Sequence, residues 1–189
     1  KWFGEQAHLR KQQGARTLSF VGGSPDVQPL FVLRVLRHAP HDLPVVWNSN
    51  LWLTPETLAL LDGVVDIFIP DLKYGPGECD QKLSSVAQSF TTIMQLLKQI
   101  HRSDAVLMIR HLLLPGHEAC CTLPVLEALA ETLPGAYLNL MTGYRPFQLR
   151  GRSDALGSRL KKSDAERIIA MAKTRFGDAL ALRRDGHPL

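Results

Sequence analysis

The stretch LLDGVVDIFIPDLKY, residues 60–74, contains the features on which the predicted fold depends. Its two leucines close a segment with helical spacing, and the run 65–69 is typical of a strand without clear in-out alternation. Such a strand is buried on both faces, as in a parallel sheet covered by helices. Asp71 and Lys73 follow it directly, and ligands collect at the carboxyl ends of the strands in such folds.

The same pattern extends along the chain in both directions. Helical stretches separate five apolar runs that we interpret as strands: 17–21, 45–48, 65–69, 105–114 and 136–140. Thr54-Pro55-Glu56 is a start signal for one helix, and Ser163 is the predicted N-cap of the last. Residues 5–13 suggest the end of an earlier helix, so we expect the first βα unit to be incomplete. The sequence predicts an α/β fold, either a doubly wound sheet or a barrel.

Composition narrows the class of protein. The 189 residues are 45% hydrophobic and 21% charged, which is typical of a single folded domain spanning 1–189. No apolar run approaches the roughly 20 residues of a membrane-spanning helix, so we expect no membrane partner. A net charge of +4 gives weak support for nucleic-acid binding. Three cysteines, an odd number without metal-ligand spacing, favour a reducing, cytoplasmic location and ordinary free thiols.

Polar residues follow each predicted strand and form one candidate rim. The adjacent glycines at 22 and 23 allow positive φ and close approach of another group. A zwitterionic, sugar-bearing ligand would suit the neutral and charged groups of this rim. Two alternatives remain: Asp71, Lys73 and Arg110 form a structural ion-pair network, or Lys73 acts as the Schiff-base amine of an aldolase-like barrel. The candidate residues are Gly22, Gly23, Ser24, Asp26, Asn48, Ser49, Asn50, Asp71, Lys73 and Arg110, with Tyr144 and Arg145 nearby for substrate.

Five stretches resemble, in order, radical S-adenosylmethionine (SAM) proteins related to pyruvate formate-lyase activating enzyme. They are FVGGSP (20–25), LPVVWNS (43–49), the stretch at 60–74, IRHLLLPG (109–116) and YLNLMTGYRP (137–146). The resemblance covers residues 5–176. It implies a partial, TIM-type (β/α) barrel of six units that binds SAM and a [4Fe-4S] cluster, with the first unit missing from this chain.

The resemblance also implies roles for the candidate residues. Gly22 and Gly23 would let the backbone approach the methionine moiety of SAM, and Ser24 stands where a glutamate usually accepts from its amino group. Asp26 could partly substitute for that glutamate. The resemblance places Asn48, Ser49 and Asn50 near the carboxylate or ribose of SAM. It has Asp71 and Lys73 line the site, and Arg110 hold a carboxylate.

The chain departs from the family in its cysteines. The family binds its cluster through Cys-x-x-x-Cys-x-x-Cys, which Cys79, Cys120 and Cys121 do not match. We therefore expect no metal ligands in this chain, a cluster loop upstream of Lys1, and no activity without it. The parent would be an iron-sulfur, metal-binding enzyme acting on a protein such as a glycyl radical enzyme. The alternative is a non-catalytic scaffold that binds a ligand or a protein.

One strand also suggests how copies of the chain could associate. If the first unit is missing, the run 17–21 lies at an unpaired sheet edge. Such an edge favours dimerisation, or disorder near Lys1.

Overall fold

A computed structural model describes residues 1–22, 25–147 and 153–189. The chain folds as two compact units, one formed by residues 1–70 and 99–107 and the other by residues 71–98 and 108–189. None of the helices in these described ranges is long and apolar enough to cross a lipid bilayer.

The first unit is a parallel α/β segment. In chain order its elements are α1 (Trp2–Gln12), β1 (Leu18–Phe20), a 3-10 turn (Pro25–Val27), α2 (Pro29–Leu36), β2 (Val45–Ser49), α3 (Pro55–Ala59) and β3 (Ile67–Pro70). β1 pairs with β2 and β2 with β3, both in parallel. Trp47 on β2 and Leu61 just after α3 have no exposed surface, so both belong to the core of this unit.

The start of α3 follows from its sequence. The Thr54 side chain accepts a hydrogen bond from the Thr57 backbone N–H at 3.2 Å, and Pro55 occupies the first helical turn. A proline there removes a donor that would lack a helical partner, and its fixed φ suits the helix. The predicted start signal is confirmed.

The second unit continues the pattern. Its elements are α4 (Cys79–Ser84), α5 (Ser89–His101), β4 (Val106–Leu112), a π-helical turn (Glu118–Thr122), α6 (Leu123–Thr132), β5 (Tyr137–Met141), a 3-10 turn (Ala155–Gly157), α7 (Lys162–Phe176), β6 (Ala181–Arg184) and β7 (His187–Pro188). The end of α5 and the first two residues of β4 belong to the first unit. β4, β5 and β6 pair in parallel, and β7 returns antiparallel to β6.

Strands β1 to β7 pair in the order in which they occur in the chain, and β3 pairs with the first residues of β4. The prediction of an α/β fold with parallel strands is confirmed. The predicted N-cap Ser163 is wrong, because α7 begins at Lys162 and its N-cap is Lys161, whose backbone is extended at φ −69° and ψ 142°. Ser163 therefore lies inside the first turn, where its backbone is already helical.

Candidate functional site

Three of the predicted site residues meet at one carboxylate in the second unit. Arg110 Nε lies 2.6 Å from Asp71 Oδ1, and Lys73 Nζ lies 3.0 Å from Asp71 Oδ2. The Leu72 backbone N–H donates to the Arg110 carbonyl oxygen at 2.9 Å, which aligns the two segments. The Asp71 side chain is 11% exposed, so both ion pairs are partly shielded from water. The ion-pair network expected as an alternative is therefore present, and these three side chains together carry a formal charge of +1.

The contact with Asp71 positions Arg110 but occupies only one of its guanidinium nitrogens. Of the three guanidinium nitrogens of Arg110, only Nε has a hydrogen-bond partner among the described residues. The side chain is 27% exposed, so its terminal amino groups are accessible. A guanidinium oriented in this way can bind a carboxylate or phosphate through parallel hydrogen bonds.

His111 follows Arg110 on β4 and faces the other side, as expected for successive residues of a strand. It has no exposed surface. Its Nδ1 lies 2.7 Å from the Leu72 carbonyl oxygen, which can only accept, so Nδ1 carries the proton. Nε2 then accepts from the Thr122 hydroxyl at 3.0 Å. Burial lowers the pKa of His111 to about 4, so the ring is neutral at pH 7.

The residues that follow β2 lie in the first unit. Ser49 is buried, and its hydroxyl oxygen accepts from the Leu51 backbone N–H at 2.9 Å. Leu51 has a φ of +55°, a conformation uncommon for residues other than glycine. Asn48 is half-buried and Asn50 is exposed. The hydroxyl of Ser49 thus holds the tight turn that presents Asn50 to solvent.

Asp26 connects two parts of the first unit. One carboxylate oxygen accepts from Trp47 Nε1 at 2.8 Å, and the other accepts from the Trp52 backbone N–H at 2.9 Å. Asp26 is 7% exposed, so these bonds anchor the 3-10 turn to β2 and to the loop after it. Its role toward a cofactor stays a prediction.

The remaining predicted residues lie at loop positions. Gly22 has a φ of +74°, which fits the expected glycine conformation. Gly23 and Ser24 lie outside the described residues. The Tyr144 hydroxyl donates to the Leu156 carbonyl oxygen at 2.8 Å, and Arg145 is exposed. Substrate contacts by Tyr144 and Arg145 stay predictions.

A second group of side chains, not predicted from the sequence, converges in the second unit. It consists of Cys79, His117, Cys120 and Cys121, whose ligand atoms all lie within 4.8 Å of one another. We call it the Cys3His cluster. The three cysteines are free thiols, as expected, but they are not separate from one another. The spacing of the cysteines alone gives no such signal; the signal that could have found the cluster is His117 three residues before Cys120, a short ligand pair like those of structural zinc sites.

Local backbone structure brings the Cys3His cluster together. A β-carbon added to Gly75 would lie 2.3 Å from the Cys120 carbonyl oxygen, so only glycine allows this approach. The chain then leads to Cys79 at the start of α4. On the other side, the Cys121 N–H donates to the His117 carbonyl oxygen at 2.9 Å within the π-helical turn. Such turns occur frequently at functional sites.

The environment of the cluster disfavours isolated thiolates. Burial raises the pKa of Cys121 to about 12, against a smaller opposite effect of the Gly75 backbone amide. Burial also raises the pKa of Cys79, and its contact with Cys120 adds to this. Thiolates here therefore need a nearby cation, because burial and neighbouring sulfurs both oppose negative charge.

No protein-family model matches the chain, but a protein of similar sequence is known. The uncharacterized protein MJ0674 of Methanocaldococcus jannaschii is 34% identical over 165 residues, which cover 86% of this chain. The chain spans about half of that relative, 48% of its length.

Solved structures share the fold at low sequence identity. A domain of pyruvate-formate lyase-activating enzyme from Bacteroides vulgatus matches with a TM-score of 0.67 and 18% identity, over 89% of this chain and 99% of that one. SuiB from Streptococcus suis matches over 98% of this chain and 41% of its own, at 12% identity. Its TM-score is 0.71 when bound to the precursor peptide SuiA and 0.66 when bound to SAM. The chain therefore has the fold of radical SAM partial barrels.

Proposed function

We propose that this chain, which has the fold of radical SAM partial barrels, is the SAM-binding part of a radical SAM enzyme of the pyruvate formate-lyase activating type. The observation that carries the proposal is the Arg110 guanidinium, oriented by Asp71 and with its terminal amino groups accessible. Zwitterionic SAM offers a carboxylate that suits these donors. The SAM-bound state of one structural neighbour supports the choice of ligand.

The assignments divide by role. Arg110 would bind the SAM carboxylate, while Asp71 would fix the guanidinium and Lys73 would offset the charge of Asp71. A carboxylate that already holds two cations is a weak acceptor for a third, so we assign Asp71 to positioning. The roles of Gly22, Gly23, Ser24, Asp26, Asn48, Ser49 and Asn50 toward SAM stay predictions from the resemblance.

The cysteines of this chain do not fit the family's [4Fe-4S] cluster. In the Cys3His cluster, Cys120 Sγ lies 3.5 Å from Cys79 Sγ and 3.9 Å from Cys121 Sγ. Each protein ligand of a [4Fe-4S] cluster binds a different iron, so its ligand sulfurs must stand farther apart. We therefore assign no step of radical chemistry to these residues.

Equilibrium binding tests the proposal. We expect the chain to bind SAM, measured by calorimetry or by equilibrium dialysis of labelled SAM. Arg110→Gln should weaken binding by about 10-fold to 100-fold, because a hydrogen bond to a charged group contributes about 1.5–3 kcal/mol. Arg175→Gln is the matched control, since Arg175 lies on the same unit and pairs with Glu127 at 2.7 Å between exposed side chains.

The possible outcomes test SAM binding and the role of Arg110 separately. If the wild-type chain does not bind SAM, the proposed function fails. If Arg110→Gln and Arg175→Gln bind SAM equally well, the assignment of Arg110 fails while SAM binding stands. Thermal denaturation of both variants shows whether either substitution acts by unfolding the chain.

A polypeptide is the proposed substrate of the whole enzyme. The precursor peptide bound to one structural neighbour supports a substrate of this chemical class. A glycine in a partner protein, such as a glycyl radical enzyme, is the specific substrate that the family resemblance implies. Tyr144 and the exposed Arg145 are the residues that we assign to contact with it.

A further inference from the structure

Four of the six distances between ligand atoms of the Cys3His cluster match a tetrahedral metal site, and all six are within 4.8 Å. Cys79 Sγ and Cys120 Sγ are 3.5 Å apart, and Cys120 Sγ and Cys121 Sγ are 3.9 Å apart. His117 Nδ1 lies 3.6 Å from Cys79 Sγ and 3.4 Å from Cys120 Sγ. Tetrahedral Zn²⁺ with ordinary bond lengths would place its ligand sulfurs about 3.8 Å apart and its sulfur and nitrogen about 3.5 Å apart.

We propose that the Cys3His cluster is a mononuclear binding site for Zn²⁺. Three thiolates and one neutral imidazole fill the four positions of the ion. Binding releases the thiol protons to solvent, and three thiolates with one divalent cation give the site a net charge of −1. None of its four ligands is among the SAM-binding residues proposed above, and the proposal does not depend on SAM binding.

The ligand chemistry selects the kind of ion. Thiolate and imidazole ligands favour Zn²⁺ over the hard cations Mg²⁺ and Ca²⁺, which take oxygen ligands. Since the protein supplies all four ligands, no position remains for water or substrate. A closed site of this kind is structural, whereas a catalytic zinc site keeps one position open.

The position of the cluster defines what the ion would stabilise. Cys79 is the first residue of α4, and the other three ligands lie at or just before the π-helical turn that leads into α6. Cys79 and Cys120 are 41 residues apart in sequence. An ion would join these two segments of the second unit, and its binding energy would add to the stability of the folded chain. Cys120 is exposed and His117 is half-buried, so an ion can reach the site from solvent.

Metal titration of the reduced chain tests the proposal. We expect one equivalent of Zn²⁺ to bind, measured by competition with a chromophoric chelator, with thiol protons released on binding. Co²⁺ should occupy the same site and produce thiolate-to-cobalt charge-transfer absorption with the intense visible bands of tetrahedral coordination. Zn²⁺ should abolish this spectrum by displacement.

Variants identify the ligands. Cys79→Ser and His117→Gln should each weaken Zn²⁺ binding by at least about 100-fold, since even changes to residues around the ligands cost 10-fold to 100-fold. His187→Gln is the matched control, because His187 is exposed in the same unit and should leave affinity unchanged. His117→Gln keeps the test valid if a cysteine variant fails to fold, since His117 lies outside the core.

Several results would overturn the proposal. They are no binding of Zn²⁺ by the reduced, folded chain, loss of affinity in His187→Gln equal to that in His117→Gln, and an iron-sulfur spectrum in place of a single-ion site. Retention of the tetrahedral Co²⁺ spectrum in Cys79→Ser would also overturn it. SAM affinity, measured in parallel, should be the same in His117→Gln and wild type, so this proposal and the proposed function can fail independently.

Discussion

His111 has no contact with water, yet both of its ring nitrogens are hydrogen-bonded. One joins it to the segment after β3, through the Leu72 carbonyl oxygen, and the other joins it to Thr122 at the end of the π-helical turn. In a protonated ring both nitrogens would donate, so the Thr122 hydroxyl would have to accept from Nε2, and the charge would be shielded from water. Burial therefore keeps the imidazole neutral and its pKa at about 4.

This environment predicts how stability depends on pH. The His111 pKa is about 4 in the folded chain and 6.5 without the fold. As pH falls below 6.5, the unfolded chain takes up a proton that the folded chain cannot bind until about pH 4. The free energy of unfolding should therefore fall between pH 6.5 and pH 4, by up to about 3 kcal/mol from this residue. Urea unfolding at a series of pH values measures the fall.

A variant separates His111 from the other titrating groups. His111→Gln should be less stable than wild type at pH 7 and should lose most of this pH dependence. His187→Gln, at an exposed position, should keep it. An unchanged slope in His111→Gln would contradict the prediction. The lowered pKa values of Asp80 and Glu118 contribute at lower pH, because the ordinary values of these carboxyl groups are 3.8 and 4.5.

Part of the candidate site could be predicted residue by residue. Asp71 and Lys73 follow β3, and Arg110 lies near the carboxyl end of the neighbouring β4, so sheet geometry predicts their proximity. The Cys3His cluster could not be found in that way. Cys79 and Cys120 are 41 residues apart in sequence, and no local pattern encodes a contact over that separation or the close packing of Gly75 against the Cys120 carbonyl group.

Among the elements, the segment between β3 and α4 depends on a single glycine. Gly75 is buried, and its Cα faces the Cys120 carbonyl oxygen at the π-helical turn. Gly77 lies two residues further on, is exposed, and has open space where a β-carbon would be placed. The two glycines therefore form a matched pair within one loop.

Alanine should act oppositely at these two positions. Gly75→Ala forces the loop away from the turn, and we expect the free energy of unfolding to fall by about 1–3 kcal/mol, as for other overpacked sites. Gly77→Ala should be neutral or stabilising by less than about 1 kcal/mol, because it only restricts the unfolded chain. Chemical denaturation of both variants without added metal measures the difference. Equal stability of the two variants would contradict this interpretation of the loop.

Most elements that the sequence predicted have a continuous apolar face; α1, expected from residues 5–13, is an exception, because its buried residues are only Gly4 and Ala7. All five predicted strands are present, with ends within about two residues of the predicted ones. The helix α4 was missed because Asp80 is its only buried residue, which leaves no apolar periodicity. β6 was missed because its sequence is ALRR, and β7 because it has only two residues. Pairing with β5, rather than composition, makes Ala181–Arg184 a strand.

At the scale of the whole molecule, the fold is shared more widely than the side chains. Structures with 12% to 18% identity share this fold, so the arrangement of strands tolerates replacement of most side chains. The chain also spans only 48% of its relative and 41% of SuiB. A shared fold does not fix function, so the proposed binding of SAM rests on the residues named above and not on the fold alone.

The arrangement of the three cysteines predicts that this chain does not cleave SAM. We expect the 189-residue chain to bind SAM without cleaving it, because its three cysteines lie close together in the Cys3His cluster and do not fit a [4Fe-4S] site. Anaerobic iron-sulfur reconstitution, followed by chromatography for 5′-deoxyadenosine, measures cleavage. A [4Fe-4S] absorption band together with 5′-deoxyadenosine from this chain would refute the prediction.

The alternation of side chains on β4 restricts insertions and deletions within this strand. Arg110 and His111 face opposite sides of the strand, one beside Asp71 and the other in the core. An insertion or deletion of one codon within the strand would exchange the two faces and place a guanidinium where the neutral imidazole is now enclosed. Point substitutions can adjust each face separately, but the number of residues in β4 must stay fixed.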